Sequence, residues 1–255
     1  MRMIITDDHA HIENDWIEKQ FGSMDDFISE QEKNNVKYII AQSTDRKNCE
    51  EVLELSKKYK IILPALGIYP HPNLSEIKSI DSDILWIKSK LKDVVAIGEV
   101  GLDYSYENFD KEFQKKIFGE FIDISISSNL PLIVHTRKAE EDALNLLISK
   151  NAKKVVLHCF SGKKKFIELA NKNKFYFSIP TNIVKSQHFQ MIVKMVDISR
   201  ILTETDAPYL SPYDDGKPNQ PQNIIESLKV IAEIKGMTLE ETSNAIFQNF
   251  QKLYL

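Results

Sequence analysis

Apolar residues along the chain fall into eight short runs separated by longer, mostly polar stretches. The runs are "MIIT" at 3–6, "KYIIAQ" at 37–42, "IILPALG" at 61–67, "VVAIGE" at 94–99, "PLIVH" at 131–135, "KVVLH" at 154–158, "KFYFSI" at 174–179 and "RILTET" at 200–205. Each is rich in Ile and Val and continuously apolar rather than alternating, which suits parallel strands covered on both faces. The stretches between them carry helical spacing, for instance 45–59, 106–128 and 138–150. A capping box, Thr238 to Glu241, announces a last helix over the apolar positions of "NAIFQNFQKLYL". Eight strand-then-helix units predict an α/β fold, a (β/α)8 TIM barrel, with a doubly wound sheet as the alternative. No Pro/Gly/Ser linker, repeat or low-complexity tract interrupts the pattern, so residues 1–255 read as a single domain.

Composition changes this picture little but excludes several classes of function. At 255 residues the chain is long enough for one large core. A net charge of −4 argues against a protein that coats nucleic acid through bulk positive charge, although it leaves room for a local site. The two cysteines, Cys49 and Cys159, make no disulfide framework and suit a reducing, cytoplasmic setting. No apolar run is long enough to span a membrane, and the start lacks the apolar region of a signal peptide. Nothing in the sequence implies an obligate protein partner.

The unusual residues fall at the ends of the expected strands. His9 and His11 follow the first strand, His71 the third; Glu99 closes the fourth, His135 the fifth and His158 the sixth; Asp206 comes just after the eighth. In a parallel barrel these ends converge on one face, so residues scattered along the chain meet in one site. Alternation along an extended chain aims both imidazoles of His-Ala-His the same way. Imidazoles and carboxylates at one mouth suit divalent ions of the zinc or manganese type, and His9, His11, His135, His158, Glu99 and Asp206 exceed what one catalytic ion takes. Two divalent ions (Zn²⁺, Mn²⁺ or Mg²⁺) bridged by a carboxylate would use them all. His188 fits no strand end and reads as structural, while alternation aims Cys159 away from the side of His158, into packing.

The blocks "DDHAH", "GIYPH", "GEVGLDY", "PLIVHTRKA", "LHCFSG" and "ETDAPYLSP", with the final "NAIFQNFQKLY", resemble the signature blocks of the TatD-related metal-dependent DNases, within the amidohydrolase-like barrel superfamily. The resemblance implies one ion on His9, His11, Glu99 and Asp206, and a second on Glu99, His135 and His158, with Glu99 as the bridge. On that core Asp206, ligated yet next to the attacking water, is the candidate general base, His71 a candidate for orienting the scissile phosphate or leaving group, and Arg137, two residues past His135, a candidate phosphate contact. Two features depart from the family pattern. Tyr69 stands where a histidine is common, and Asp215 to Pro221 lacks the family's arginines, so the substrate-gripping shell around Tyr69, Asp215 and Pro218 is altered. Lys163, Lys164 and Lys165, expected to begin the helix after strand six, would line a phosphate track or form a solvated face.

Three functions follow as expectations. The first is a deoxyribonuclease acting on DNA, with preference for ends or single strands. The second is a hydrolase of another ester or amide class, such as an aminoacyl ester or a lactone, on the same core. The third is a non-catalytic scaffold, against which the intact ligand set speaks.

Overall fold

The structure, a computed structural model, describes residues 3–255. Eight parallel strands run in chain order around a nearly closed barrel. They are β1 (Ile5–Ala10), β2 (Val36–Ala41), β3 (Ile62–Leu66), β4 (Ala96–Asp103), β5 (Leu132–Arg137), β6 (Val155–Leu157), β7 (Tyr176–Pro180) and β8 (Ile201–Glu204). Helices alternate with them: α1 (Asn14–Phe21) and α2 (Met24–Lys33) after β1, α3 (Arg46–Lys58) after β2 and α4 (Ile80–Ser89) after β3. Then come α5 (Lys111–Ser128), α6 (Glu140–Ser149), α7 (Lys164–Lys172) and α8 (Gln187–Met195), and finally α9 (Ile224–Lys235) and α10 (Leu239–Tyr254) after β8. The TIM barrel read from the apolar runs is the observed fold.

The seam between β1 and β8 is held by both backbone and side chains. Asp206 N–H donates to the His9 carbonyl at 2.8 Å and His11 N–H to the Ala207 carbonyl at 2.8 Å. Just below, the buried Asp7 carboxylate accepts from the Thr205 N–H at 3.0 Å and from the Thr205 hydroxyl. Burial raises the pKa of Asp7 despite these donors. Inside the barrel, Ile40, Ala65, Ala96, Ile133, Val156, Tyr176 and Leu202 contribute one inner residue from each of seven strands. Phe250, Leu253 and Tyr254 of α10 pack against this ring and plug the barrel toward the strands' N-terminal ends.

Element boundaries move in ways that matter for that rim. β1 starts at Ile5 rather than Met3 and runs on through Asp7, Asp8 and His9, so His9 lies within the strand rather than behind it. β4 likewise continues past Glu99 to Asp103, with a register shift between Ile97 and Val100. Gly101, with φ 149°, permits this path, because a Cβ there would overlap the His135 carbonyl. α5 begins at Lys111, not near Tyr106; the Asp110 side chain caps it by accepting from Phe113 N–H. The Thr238–Glu241 capping box is present in full at the start of α10.

Candidate metal centre

His9 near the end of β1 and His11 just beyond it turn their rings to one side, centroids 5.2 Å apart. His9 Nε2 lies 3.5 Å from Glu99 Oε2 and 3.6 Å from Asp206 Oδ1. His11 Nε2 lies 3.6 Å and 3.4 Å from the same two oxygens. On the other side, Glu99 Oε1 is 3.0 Å from His135 Nδ1 and 3.9 Å from His158 Nε2. One oxygen of Glu99 therefore faces each histidine pair. Asp206 has a left-handed φ of 55°, unusual outside glycine, held by its hydrogen bond to β1.

The spacings around His9 and His11, 3.4–3.6 Å, fit a divalent ion, and those from Glu99 to His135 and His158, 3.0 and 3.9 Å, bracket the same range. Two donors about 2.0–2.2 Å from one ion at near-tetrahedral angles sit roughly 3.3–3.6 Å apart, longer than a good hydrogen bond. Both ring nitrogens of His9 are buried with no hydrogen-bond partner among the described residues. Leaving a buried polar group so costs about 1–3 kcal/mol unless something binds it. Among the described residues three groups have ligand atoms close enough to share an ion: His9, His11 and Asp206; Glu99, His135 and His158; and His9, His158 and Glu204.

The sequence reading missed the carboxylates behind these histidines. Asp103 Oδ2 is 3.2 Å from His135 Nε2 and accepts from the Tyr69 hydroxyl at 2.8 Å. Glu204 Oε2 is 2.9 Å from His158 Nδ1, and Glu204 Oε1 accepts from the Cys159 N–H at 2.9 Å. Parity carries a signal for both, since Glu204 lies two residues before Asp206 and Asp103 four after Glu99.

Charge is distributed unevenly over the four rings. Burial pushes the His9 pKa down to about 4, with neighbouring His158 adding to the effect, so this imidazole is neutral and ready to ligate. Burial also opposes charge on His158, yet Glu204, Asp206 and Glu99 hold its pKa up at about 10. Burial works against ionised Glu99, but His9 and His135 keep its carboxyl well below the usual range. Asp206 is lowered too, its desolvation outweighed by His11 and the other imidazoles.

A cleft of about 640 Å³ opens above these residues. Arg137 lines it, exposed at the end of β5, and forms no ion pair among the described residues. His71 is exposed on the rim, its ring 6.1 Å from Tyr106, outside the ligand-spaced groups. Tyr69 borders the cleft, but its hydroxyl is directed to Asp103. Tyr209, 60% exposed, stands opposite, edge-on to His11. Lys163, Lys164 and Lys165 are exposed at the start of α7 and do not line the cleft; Lys164 approaches Glu168 at 3.9 Å, and Lys165 covers the Phe166 ring. His188 sits on α8 with its ring bonded to the Phe160 carbonyl at 3.0 Å, and Cys159 packs against the core.

A (β/α)8 barrel with imidazoles and carboxylates at ligand spacing on its C-terminal rim is the architecture of a metal-dependent hydrolase. Comparison with known proteins narrows the class. The family profile described as "TatD related DNase" matches residues 6–255. The chain is 32% identical over 258 residues to the uncharacterized metal-dependent hydrolase YabD of Bacillus subtilis, covering 98% of this chain and 99% of that one. It is 32% identical over 262 residues to the human protein named deoxyribonuclease TATDN3, covering 98% and 94%. The crystal structure of YJJV, a TatD homolog from Escherichia coli K12, superposes with a TM-score of 0.88 at 23% identity, covering 98% and 97%. The chain belongs to the TatD-related DNase family. No helix among the described residues is long and apolar enough to cross a membrane.

Proposed function

We propose that this metal-dependent hydrolase cleaves phosphodiester bonds of DNA at a two-ion centre, the whole chain forming one catalytic domain. His9, His11, Glu99 and Asp206 hold one ion, and Glu99, His135 and His158 the other. The observation that carries the reading is the placement of Glu99, whose two oxygens face separate histidine pairs. Divalent ions bound there supply an acidic water and positive charge for the phosphoryl oxygens. Asp206 accepts the proton of the attacking water as its oxygen bonds to phosphorus and the P–O bond to the departing sugar breaks. Arg137, which forms no ion pair among the described residues, grips a phosphate oxygen in a charge-assisted fork. His71, on the rim, orients the scissile phosphate or leaving group. The exposed Tyr209 ring and the Tyr106–His71 pair offer faces on which unpaired bases stack, which favours single strands or ends.

Purified protein loaded with Mg²⁺, Mn²⁺ or Zn²⁺ should degrade oligonucleotides and stop on addition of EDTA. Folded protein inactive with every metal would overturn the assignment. A second reading, hydrolysis of a carboxylic ester, amide or lactone, is favoured by the cleft's lining, in which, among the described residues, one arginine shares the walls with the acidic Glu13 and Asp45. Turnover of those substrates, with nucleic acids untouched in the same screen, would select it.

A further inference from the structure

We infer that Asp103 and Glu204 are positioning residues that make the Glu99–His135–His158 group a preorganised, tightly held metal seat, with Tyr69, whose hydroxyl donates to Asp103 and lies 3.3 Å from His135 Nε2, bracing the Asp103 arm. Among the described residues the histidines of the His9, His11 and Asp206 group have no such carboxylate behind them, and this group is the exchangeable seat. This rests on the reading of both groups as metal sites, but not on the identity of the substrate.

Both ring nitrogens of His135 are engaged, Nδ1 facing Glu99 at 3.0 Å and Nε2 facing Asp103 at 3.2 Å. Its ring cannot turn without losing one of them. Asp103 is itself fixed from several directions. Its Oδ1 accepts from Ser105 N–H at 2.8 Å, its Oδ2 from Tyr69 at 2.8 Å, and Gln114 brackets its backbone by accepting from the N–H at 3.0 Å and donating to the carbonyl at 3.2 Å. His158 is held in the opposite sense, Nδ1 toward Glu204 and Nε2 toward Glu99. With an ion in the seat in place of a second ring proton, His135 would keep its proton on Nε2, facing Asp103, and His158 on Nδ1, facing Glu204, each turning its other nitrogen toward Glu99. Carboxylates behind ligating histidines fix tautomer and orientation and raise ligand basicity.

His9 contrasts with this arrangement: its ring stacks on that of His158, centroids 3.5 Å apart, but among the described residues neither of its ring nitrogens has a hydrogen-bond partner that would set the tautomer. Glu204 also belongs to a group of ligand-spaced atoms with His9 and His158, but both its oxygens already accept hydrogen bonds. An ion bound there would have to displace the proton between Glu204 and His158. Glu204 therefore acts on an ion through His158. The Tyr69 hydroxyl, engaged with Asp103, contributes to metal retention rather than to substrate grip.

The test is a Zn²⁺ titration of metal-free protein against a chromophoric chelator, with no substrate present. Wild-type protein should show two binding phases. Asp103→Asn and Glu204→Gln should each weaken the tighter phase by about 10–100-fold and leave the weaker one unchanged. Tyr69→Phe, which removes one hydroxyl and keeps the ring, should weaken the same phase less. Nitrogen-15 spectra of the six histidines in the Zn²⁺-loaded protein should show opposite tautomers for His135 and His158, with Asp103→Asn disturbing His135 alone. A single phase in wild-type protein, equal loss from both phases, or no loss in folded variants would overturn the inference. Two-ion binding with these shifts but without DNA cleavage would overturn the proposed substrate and leave the inference standing.

Discussion

Glu99 has no substitute at the residue scale. It is buried, and its carboxylate lies within 3.0 to 3.9 Å of one nitrogen from each of four histidines. Glu99→Ala should reduce turnover to background while circular dichroism reports an intact fold; turnover that survives would remove Glu99 from the bridging position. Arg137 makes a different kind of contribution. Hydrogen bonds to charged groups contribute about 1.5–3 kcal/mol, so Arg137→Ala should reduce kcat/KM on oligonucleotides by roughly 10–100-fold. Arg137→Lys should recover only part of this, because an ammonium cannot form the guanidinium's two-pronged contact. Equal kinetics for wild type and Arg137→Ala would place the phosphate elsewhere.

At the scale of elements, ion pairs and caps fasten the helices around the barrel. Asp142 on α6 accepts from Lys111 at 2.9 Å and Lys115 at 3.1 Å, both on α5, and from the Tyr104 hydroxyl at 3.0 Å. The two lysines lower its pKa to about 2. A carboxyl depressed on folding stabilises the protein above its unfolded pKa of about 3.9, and the benefit is lost as pH falls through the folded value. Partial solvent exposure limits the gain to about 1 kcal/mol. Urea melts should therefore separate wild type from Asp142→Asn at pH 6 and bring them together as pH falls from 4 toward 2; a gap that persists would assign the stability to packing. Thr238 accepts from Glu241 N–H at 3.2 Å while Glu241 accepts from Thr238 N–H at 2.8 Å, so Thr238→Ala should cost about 1 kcal/mol. That box was legible from four residues, as were the apolar runs that became strands. The continuation of β1 through Asp7, Asp8 and His9 was not, because polar side chains inside a barrel break the apolar signal that marks a strand. The converging histidines were visible as strand-end residues. Asp103 and Glu204 were not, because their partners lie 32 and 46 residues away and only the closed barrel brings them together.

For the whole molecule, the distribution of charge decides how a polyanion can bind. The net charge is −4, Arg137 is the only arginine or lysine lining the cleft among the described residues, and Glu13 and Asp45 share its walls. The lysines at 163–165 stand outside it. A protein that neutralises one or two phosphates of a single strand loses affinity with a log–log salt slope of about −0.7 to −1.4, whereas a continuous basic track gives a far steeper one. Binding of a single-stranded oligonucleotide, measured across a salt series, should therefore show a slope near −1. Changing Lys163, Lys164 and Lys165 together to Ser should alter neither the slope nor the affinity. Tyr209→Ala should weaken binding at every salt concentration by the same factor, because stacking releases no counterions. A slope steeper than about −4, flattened by the triple lysine substitution, would mean that DNA runs across α7 and that the cleft holds only the nucleotide being cut.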